Sequence, residues 1–518
     1  MRSANVVPGG LASHGMLYFA TAVGAAVRLF RLGSQSIWGD EALTLLYYTV
    51  GNSLSEVWQN IWKTAAHPPL YFLLAHYWYK LGDSEFMLRF PSMVFGVAAI
   101  PVMYALANRL FGRGVAGMAA LIIALSPIHV WYSQEARMYS LQILLGLAST
   151  LFFVRAWQER RVRDVILYVL FSAMGLFTHL ATAFLLAAQG LFAIGASVRD
   201  RKKLAAWIGV QAVIVLAFTP WLLNSIRTHN PANATFNIGY QRTPSVLEIG
   251  YGFYAFSVGF SLGPSVAELH QSSALRATAE HWPAISLAAL VFGALAILGL
   301  LHAGKTSRWA FWLLLAHLAV PTGLAAALSL LPGIPLNPRY MLVALIPYWI
   351  VLALGAQTCM RARVLGAIPA AALLLVGVSL HNHYFEAAYA KQDMRSAVAL
   401  LNERAKPGDV IIISSVELGG PFISYFKRHD VPYLGYPPRA GFVDPADLSP
   451  DMDGILRHRE RAWLILGRLW SSDPRGLIRD HFDSRLQLLE SHRYPGVTVL
   501  CYSLAGRVDI HTSMRMHD

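Results

Sequence analysis

The stretch HPPLYFLLAHYWYKLG, from His67 to Gly82, decides how this sequence crosses a membrane. A helix that begins after the two prolines would contain about 14 residues and be about 21 Å long, whereas a hydrocarbon core is about 30 Å thick. The stretch is also rich in Tyr, Trp and His, which are typical of the membrane surface. We therefore predict that it lies at the interface and does not span the bilayer.

The composition indicates a polytopic all-α membrane protein. Of 518 residues, 55% are hydrophobic and 14% are charged, against about 25% charged in a soluble domain. The first 30 residues resemble a signal peptide but lack a clear cleavage site, so we expect an uncleaved first span. Apolar runs of sufficient length predict about eleven spans, near residues 15–32, 87–108, 114–131, 138–157, 164–178, 181–198, 204–223, 283–302, 309–331, 340–358 and 364–380.

The basic residues predict which side of the membrane each loop occupies. With His67–Gly82 counted as interfacial, five basic loops share one side, which the positive-inside rule makes cytoplasmic. The N-terminus is then inside and the C-terminus outside. Most of the net charge of +13 lies in these short loops and not on a folded basic face, so nucleic acid is not an expected partner. The loops are Asn108–Gly114, Arg155–Asp164, Arg199–Lys203, Lys305–Arg308 and Arg361–Arg363.

The composition becomes that of a soluble domain near residue 381. We predict a membrane domain over residues 1–380 and an α/β domain outside the membrane over residues 381–518. The segment DMRSAVALLNERAKPGDVIIISS predicts a helix, a turn and a buried strand, RAWLILGRLW a second strand, and LQLLESHRYPGVTVLCYSLA a hairpin. The domain contains no GxGxxG or P-loop motif, so we do not expect a nucleotide site.

Two adjacent carboxylates, Asp40 and Glu41, occur in SQSIWGDEALTLLYY, just before an apolar helical pattern. One interpretation is structural, because acidic residues in a first turn interact favourably with the helix dipole. The other is catalytic, because a partly dry carboxylate at the bilayer surface can remove a proton from a hydroxyl group.

Further polar residues share the predicted outer face. Gln134, Glu135, Arg137 and Tyr139 lie in SQEARMYS between two spans, where charged groups more often face a cavity than lipid. Pairing among them could equally be structural. His67, fixed by the prolines after it, and His179, in a short turn, are further candidates whose alternative is an interfacial or packing role. The two cysteines, Cys359 and Cys501, form neither a disulfide framework nor a spacing typical of a metal site.

Arginines at the outer ends of spans run against the positive-inside trend. Arg339 and Tyr340 lie in NPRY, and Arg28 and Arg31 lie near the end of the first span. Snorkelling to the interface would explain any one of the arginines. Together they would also suit a phosphate, which a guanidinium binds bidentately.

These motifs, in this order, resemble the bacterial GT-C glycosyltransferases related to protein O-mannosyltransferases and to the aminoarabinose and galacturonic acid transferases. The segments that carry the resemblance are WGDEA, HPPLYFLLAHYWYKLGDSEFMLRFPS, LFGRGVAGMAALIIALSPIHVWYSQEARMYSL, NPRY and DMRSAVALLNERAKPGDV. It implies a GT-C fold with outer-face interfacial helices, a polyprenyl-phosphate sugar donor, and inverting transfer on the periplasmic face of a bacterial inner membrane. It also implies that Asp40 is the base, that Glu41 orients Asp40 or the acceptor, and that arginines stabilise the phosphate.

One departure from the family concerns metal. Aminoarabinose transferases carry Lys before the paired prolines and an acidic residue before that, whereas this chain has His67 and Ala66, so a divalent metal is doubtful. The favoured function is transfer of a sugar to lipopolysaccharide, another envelope glycan or lipid, or a protein. The alternatives are a transporter or flippase of lipid-linked glycans, whose ionisable residues should lie near the membrane midplane, and a non-catalytic assembly protein.

Overall fold

The computed structural model describes residues 15–49, 51–64, 67–228, 246–271, 274–331, 336–362, 365–439 and 441–505. The residues outside these ranges include Ala66, Arg363, the start of the chain and the first part of the long loop that is predicted to lie outside. Within them, a helical body is followed by a domain built on a β-sheet.

The helical body runs from α1 to α18, with a 3-10 helix at Pro338–Ala344 before α17. The bounds are α1 Gly15–Leu29, α2 Gly39–Tyr48, α3 Leu54–Thr64, α4 Leu70–Tyr79, α5 Glu85–Phe111, α6 Arg113–Leu125, α7 Pro127–Ser133, α8 Tyr139–Glu159, α9 Val162–Leu176, α10 Thr182–Ser197, α11 Arg201–Thr228, α12 Val246–Val258, α13 Val266–Gln271, α14 Ala274–Glu280, α15 Trp282–Thr306, α16 Arg308–Leu328, α17 Leu345–Arg361 and α18 Ala367–Phe385.

Seven helical segments in the described part of the chain are long and apolar enough to span a membrane, or eight if the bent pair α6–α7 is one span. Helices α1 and α10 are apolar but shorter, and α9 has 15 residues. Every predicted span therefore overlaps an observed helix, while the count of eleven stays a prediction. Helix α4 has 10 residues, about 15 Å, which is too short to cross, as expected for His67–Gly82.

The two ends of the helical body carry different charge networks. Arg109, at the end of α5, pairs with Glu159, and Arg155 pairs with the buried Asp164, so two of the predicted cytoplasmic loops meet. Arg89, near the start of α5, contacts the segment that contains Glu41. Twenty residues of helix, about 30 Å, separate Arg89 from Arg109. The polar residues predicted to lie outside are therefore about one bilayer thickness from the loops predicted to be cytoplasmic.

The break between α6 and α7 is stabilised by Arg28. The two helices meet at an angle of 56°, and Pro127 begins the second, so carbonyl groups at the end of α6 lose their partners in the helix. The guanidinium of Arg28, fully buried, donates to the carbonyl oxygens of Ala124 at 2.7 Å and Ile123 at 2.9 Å. It also contacts His129 Nδ1 at 2.9 Å. Arg28 thus caps a broken helix inside the body.

The C-terminal domain is a five-stranded sheet in the order β2-β1-β3-β5-β4. Strand β1 is parallel to β2 and β3, while β3–β5 and β5–β4 are antiparallel. The predicted helix, the two predicted strands and the closing hairpin are confirmed. The bounds are α19 Met394–Arg404, β1 Val410–Ile413, α20 Gly419–Tyr425, β2 Tyr433–Gly435, α21 Pro445–Ile455, β3 Arg461–Leu466, α22 Leu469–Ser472, α23 Leu477–Asp483, β4 Gln487–Tyr494 and β5 Val497–Ser503, with 3-10 turns at Ala387–Tyr389 and Val416–Leu418.

This domain packs directly on the helix that carries the two carboxylates. The Tyr425 hydroxyl, at the end of α20, accepts from the backbone N–H of Ile37 at 2.7 Å and donates to Glu85 at 2.8 Å. A Cβ added to Gly420 would lie 3.1 Å from the Cβ of Ala42, so α20 and α2 are in close contact. The sheet domain therefore helps to fix the position of α2.

Candidate active site

Helix α2 places Asp40 and Glu41 in its first turn, after Trp38 in an extended conformation. The two side chains then diverge. The side chain of Glu41 is fully buried, while that of Asp40 is 26% exposed. Each belongs to a separate group of charged residues.

The Asp40 carboxylate faces Arg339. Its Oδ2 lies 3.3 Å from Arg339 Nη1, and the Arg339 side chain is 33% exposed. The same Nη1 donates to the hydroxyl of Tyr139 at 3.3 Å, with the guanidinium 6.0 Å from the centre of that ring. The pair is therefore long and reachable by solvent, so either partner can exchange its contact at little cost.

Arg137 supports the same site from the other side. Its Nη1 donates to the backbone carbonyl oxygen of Asp40 at 3.3 Å, and its Nη2 lies 3.0 Å from His67 Nε2. Because a guanidinium can only donate, His67 Nε2 accepts, and the ring is neutral. Burial, with the nearby charge of Arg137, holds the pKa of His67 well below its usual value. The buried Nε of Arg137 has no partner among the described residues.

His179 completes this group of residues. Its Nδ1 accepts from the backbone N–H of Ala181 at 3.1 Å, and its ring lies 5.8 Å from that of Tyr139. Burial, with the charges of Arg137 and Arg339, lowers the pKa of His179 to about 3. The neutral ring therefore carries its proton on Nε2. We call Asp40, His67, Arg137, Tyr139, His179 and Arg339 the open cluster.

Glu41 forms a second group. Arg89 holds its carboxylate with two hydrogen bonds of 2.7 Å, and the backbone N–H of Ala136 donates at 3.0 Å. Burial opposes ionisation, but Arg89, Lys391 and these hydrogen bonds bring the pKa of Glu41 down to about 2. Glu41 is thus a permanently charged group held by Arg89 and the backbone.

Glu135 belongs with Glu41. Its Oε1 accepts from the indole N–H of Trp131 at 2.7 Å and lies 3.6 Å from Lys391 Nζ. Burial raises the pKa of Glu135 despite the lysine. We call Glu41, Arg89, Glu135 and Lys391 the closed cluster. Arg89 and Lys391 were not singled out from the sequence.

Four further predicted site residues lie around these clusters. Gln134 donates to the carbonyl oxygens of Arg28 and Phe30 at 2.9 Å each, so it ties its loop to the first helix. Tyr340 adjoins Arg339 and is half-buried. Arg28 has the packing role described above. The guanidinium of Arg31 lies 5.5 Å from the ring centre of Phe385. The structure brings neither Arg28 nor Arg31 into the open cluster.

The residues of the open cluster do not fit a metal ion. The lone pair of His67 Nε2 is engaged by Arg137, and that of His179 Nδ1 by a backbone N–H. The only carboxylate there adjoins two guanidinium groups. Among the described residues, no group of three or more His, Cys, Asp or Glu side chains is placed to hold a metal.

Comparisons with known proteins agree with this architecture. Residues 66–223 match the family model of the dolichyl-phosphate-mannose-protein mannosyltransferases. The apo structure of ArnT from Cupriavidus metallidurans superposes with a TM-score of 0.55 and 14% identity, over 95% of this chain and 98% of ArnT. The chain therefore has the GT-C fold.

Other GT-C structures share the same fold. The archaeal oligosaccharyltransferase AglB from Archaeoglobus fulgidus, in complex with an inhibitory peptide and a dolichol-phosphate, has a TM-score of 0.54 and 13% identity, over 95% of this chain and 74% of AglB. At these identities the likeness shows the fold alone.

A curated relative matches only part of this chain. The Bacillus subtilis protein named "Putative mannosyltransferase YkcB" is 22% identical over an alignment of 234 residues that covers 43% of this chain. The match spans about a third of that relative's own length, 32%.

Proposed function

We propose that this protein transfers a sugar from a polyprenyl-phosphate donor to an acceptor hydroxyl group at the outer surface of the membrane that it spans. The observation that carries the proposal is the open cluster: one partly exposed carboxylate, Asp40, lies 3.3 Å from a guanidinium nitrogen of Arg339 and next to Arg137. A carboxylate can accept the proton of an attacking hydroxyl group. Two nearby cations can stabilise the negative charge that develops on a leaving phosphate.

The reaction proposed is a single displacement. Asp40 takes the proton of the acceptor hydroxyl group while the hydroxyl oxygen bonds to the anomeric carbon. The bond between that carbon and the phosphate oxygen breaks, and its electron pair leaves with the polyprenyl phosphate. Attack from the face opposite the leaving group inverts the anomeric configuration. Asp40, at the partly exposed start of α2, is where an acceptor could approach.

Arg339 and Arg137 are the proposed phosphate ligands. Among the described residues, the Arg339 guanidinium donates only to Asp40, in a long contact, and to Tyr139, so a phosphate could take over its donors and release the carboxylate. The Nε of Arg137 has no hydrogen-bond partner in the part of the chain that the structure describes. The Nε2–H of His179 is a neutral donor for a phosphate or sugar oxygen, and His67 fixes the orientation of Arg137.

The relatives support this class of donor. The matched family is named for dolichyl-phosphate-mannose, ArnT has a structure bound to undecaprenyl phosphate, and AglB one with dolichol-phosphate. We propose mannose or a related hexose or pentose as the sugar. The acceptor would be lipopolysaccharide, another envelope glycan or lipid, or a protein on the periplasmic side of a bacterial inner membrane.

The test compares Asp40→Asn with Asp83→Asn, a matched change at an exposed residue outside both clusters. Purified protein in lipid nanodiscs is given undecaprenyl-phosphate-linked mannose, galacturonic acid or aminoarabinose, with an envelope glycolipid extract as acceptor. Release of undecaprenyl phosphate is the readout. We expect Asp40→Asn to lose about 10²- to 10⁴-fold in rate, with binding of undecaprenyl phosphate kept and Asp83→Asn at the wild-type rate.

Two outcomes would overturn the proposal. One is turnover by Asp40→Asn at the wild-type rate. The other is wild-type protein that moves a labelled lipid-linked glycan across a liposome membrane without transferring the sugar, which would support the flippase alternative. Mass analysis of envelope glycolipids from a deletion strain would then identify the sugar and the acceptor together.

A further inference from the structure

Lys391 lies in the short segment between α18 and α19, and its ammonium group is enclosed. The side chain is 9% exposed, and Nζ lies 3.6 Å from Glu41 Oε2 and 3.6 Å from Glu135 Oε1. The rings of Trp38 and Trp131 lie 5.4 and 6.0 Å away. Nζ makes no hydrogen bond with any described residue, so its contribution is that of a charge between two carboxylates.

The charges of the closed cluster sum to zero only if Lys391 is included. Arg89 and Lys391 carry two positive charges, and Glu41 and Glu135 carry two negative charges. Arg89 already makes a bidentate pair with Glu41. Without Lys391, Glu135 would be a buried carboxylate with no cation in contact among these residues, and an uncompensated buried charge is strongly unfavourable.

The two carboxylates come from separate parts of the fold. Glu41 is on α2, next to Asp40, and Glu135 is in the loop before α8, two residues before Arg137. The backbone N–H of Ala136 also donates to Glu41. Lys391 therefore connects the element that carries the proposed base to the loop that carries a proposed phosphate ligand.

The segment around Lys391 is itself fixed to the loop before α2. The backbone N–H of Lys391 donates to Gln35 Oε1 at 3.2 Å, and the hydroxyl of Ser36 donates to Asp393 at 2.9 Å. The backbone N–H of Asp393 donates to the carbonyl oxygen of Pro495 in the β4–β5 turn at 2.8 Å. The lysine thus reaches the closed cluster from an anchored backbone that is continuous with the sheet domain.

We propose that Lys391 is a positioning residue for sugar transfer, whose ammonium group holds Glu41 and Glu135 together and so sets Asp40 against Arg137. This inference rests on the proposed function. It gives the segment that enters the C-terminal domain a direct part in the geometry of the site.

The test uses Lys391→Met, the charge-balanced double variant Lys391→Met/Glu135→Gln and wild type, in the nanodisc assay described above. We expect Lys391→Met to lose about 10- to 100-fold in kcat, because a displacement near 1 Å in a reacting pair has this effect, with KM for the lipid-linked sugar little changed. The double variant should recover most of the rate, because it removes the excess charge.

The pH profile separates positioning from general damage. Removing the ammonium group raises the pKa of Glu135 further, and protonation of Glu135 then restores neutrality. Lys391→Met should therefore gain activity relative to wild type as the pH is lowered, whereas the double variant should lack this gain. Glu135 interacts with the charges of Glu41, Asp40 and Arg339 besides Lys391. Lys391 interacts with Glu41, Arg89 and His383 besides Glu135.

Different results would contradict the role of Lys391 and the proposed function. A wild-type rate in Lys391→Met would overturn this inference, as would a loss that is independent of pH and not recovered in the double variant. If Lys391→Met does not fold, the neutral double variant decides: near wild-type turnover supports positioning by charge, and an inactive folded protein contradicts it. Wild-type protein that transfers none of the sugars contradicts the proposed function instead.

Discussion

The open and closed clusters start from neighbouring residues, Asp40 and Glu41, and have opposite physical properties. The open cluster joins Asp40 to Arg339 by one contact of 3.3 Å between partly exposed side chains. The closed cluster joins Glu41 to Arg89 by two hydrogen bonds of 2.7 Å with almost no exposure. A long, wet pair can exchange partners, whereas a short, dry and bidentate pair cannot.

This difference indicates that one cluster has a structural role and the other a ligand-binding role. The closed cluster fixes the backbone of α2 and of the loop before α8, which leaves the open cluster free to bind a ligand with little rearrangement. Preorganised groups of this kind are the main source of electrostatic stabilisation in enzymes.

The largest effect on folding should come from Arg89→Met. Removing the guanidinium leaves Glu41 buried beside Lys391 alone, and breaking one side of a buried pair costs about 3 to 5 kcal/mol. Thermal unfolding in detergent should show this loss. The double variant Arg89→Met/Glu41→Met should recover much of it, because both charges are replaced by apolar groups. Equal instability of the single and double variants would contradict a buried ion pair here.

The next effect concerns ligand binding rather than folding. Arg339→Met removes the cation that faces Asp40, and we expect about a 10²-fold lower transfer rate with weaker binding of undecaprenyl phosphate. The unfolding free energy should change by less than about 1 kcal/mol, since the pair is partly exposed. Arg339→Lys should restore only part of the rate, because a lysine cannot bind a phosphate bidentately. Normal binding by Arg339→Met would remove Arg339 from the phosphate site.

The smallest effect should come from Arg31→Ala, which lies outside both clusters. We expect wild-type transfer and a change in unfolding free energy within about 0.5 kcal/mol. Arg31 has φ of 55°, in the left-handed region, so Arg31→Gly should be at least as stable as Arg31→Ala. A tenfold loss of transfer in either variant would show that the phosphate site extends to the first helix.

Much of the helical body could be predicted from the sequence, because an apolar run long enough to span a bilayer usually forms a transmembrane helix. The short segment His67–Gly82 and the strands Val410–Ile413 and Arg461–Leu466 were likewise readable from length and pattern. The bend at Pro127 was not, since the apolar run continues through it and only the proline marks the break.

The site was only partly predictable. Asp40, Arg137 and Arg339 stood out as charges near apolar runs, and the fold brings them together across nearly 300 residues of sequence. The partners of Glu41 did not stand out, because pairing of Arg89 and Lys391 depends on how α5 and the segment after α18 pack. A signal was present: Arg89 is a lone charge among apolar residues in FMLRFPS, and such a residue needs a partner.

The cap that Arg28 provides has a consequence for how the protein is made. The carbonyl groups that receive this guanidinium lie 95 and 96 residues further along the chain. At about 5 to 20 residues per second, their synthesis follows that of Arg28 by about 5 to 20 s. During this interval the arginine of the first helix has no acceptor from α6, and a charged group is costly in lipid. We therefore expect the first helix to remain with the insertion machinery until α6 and α7 have emerged.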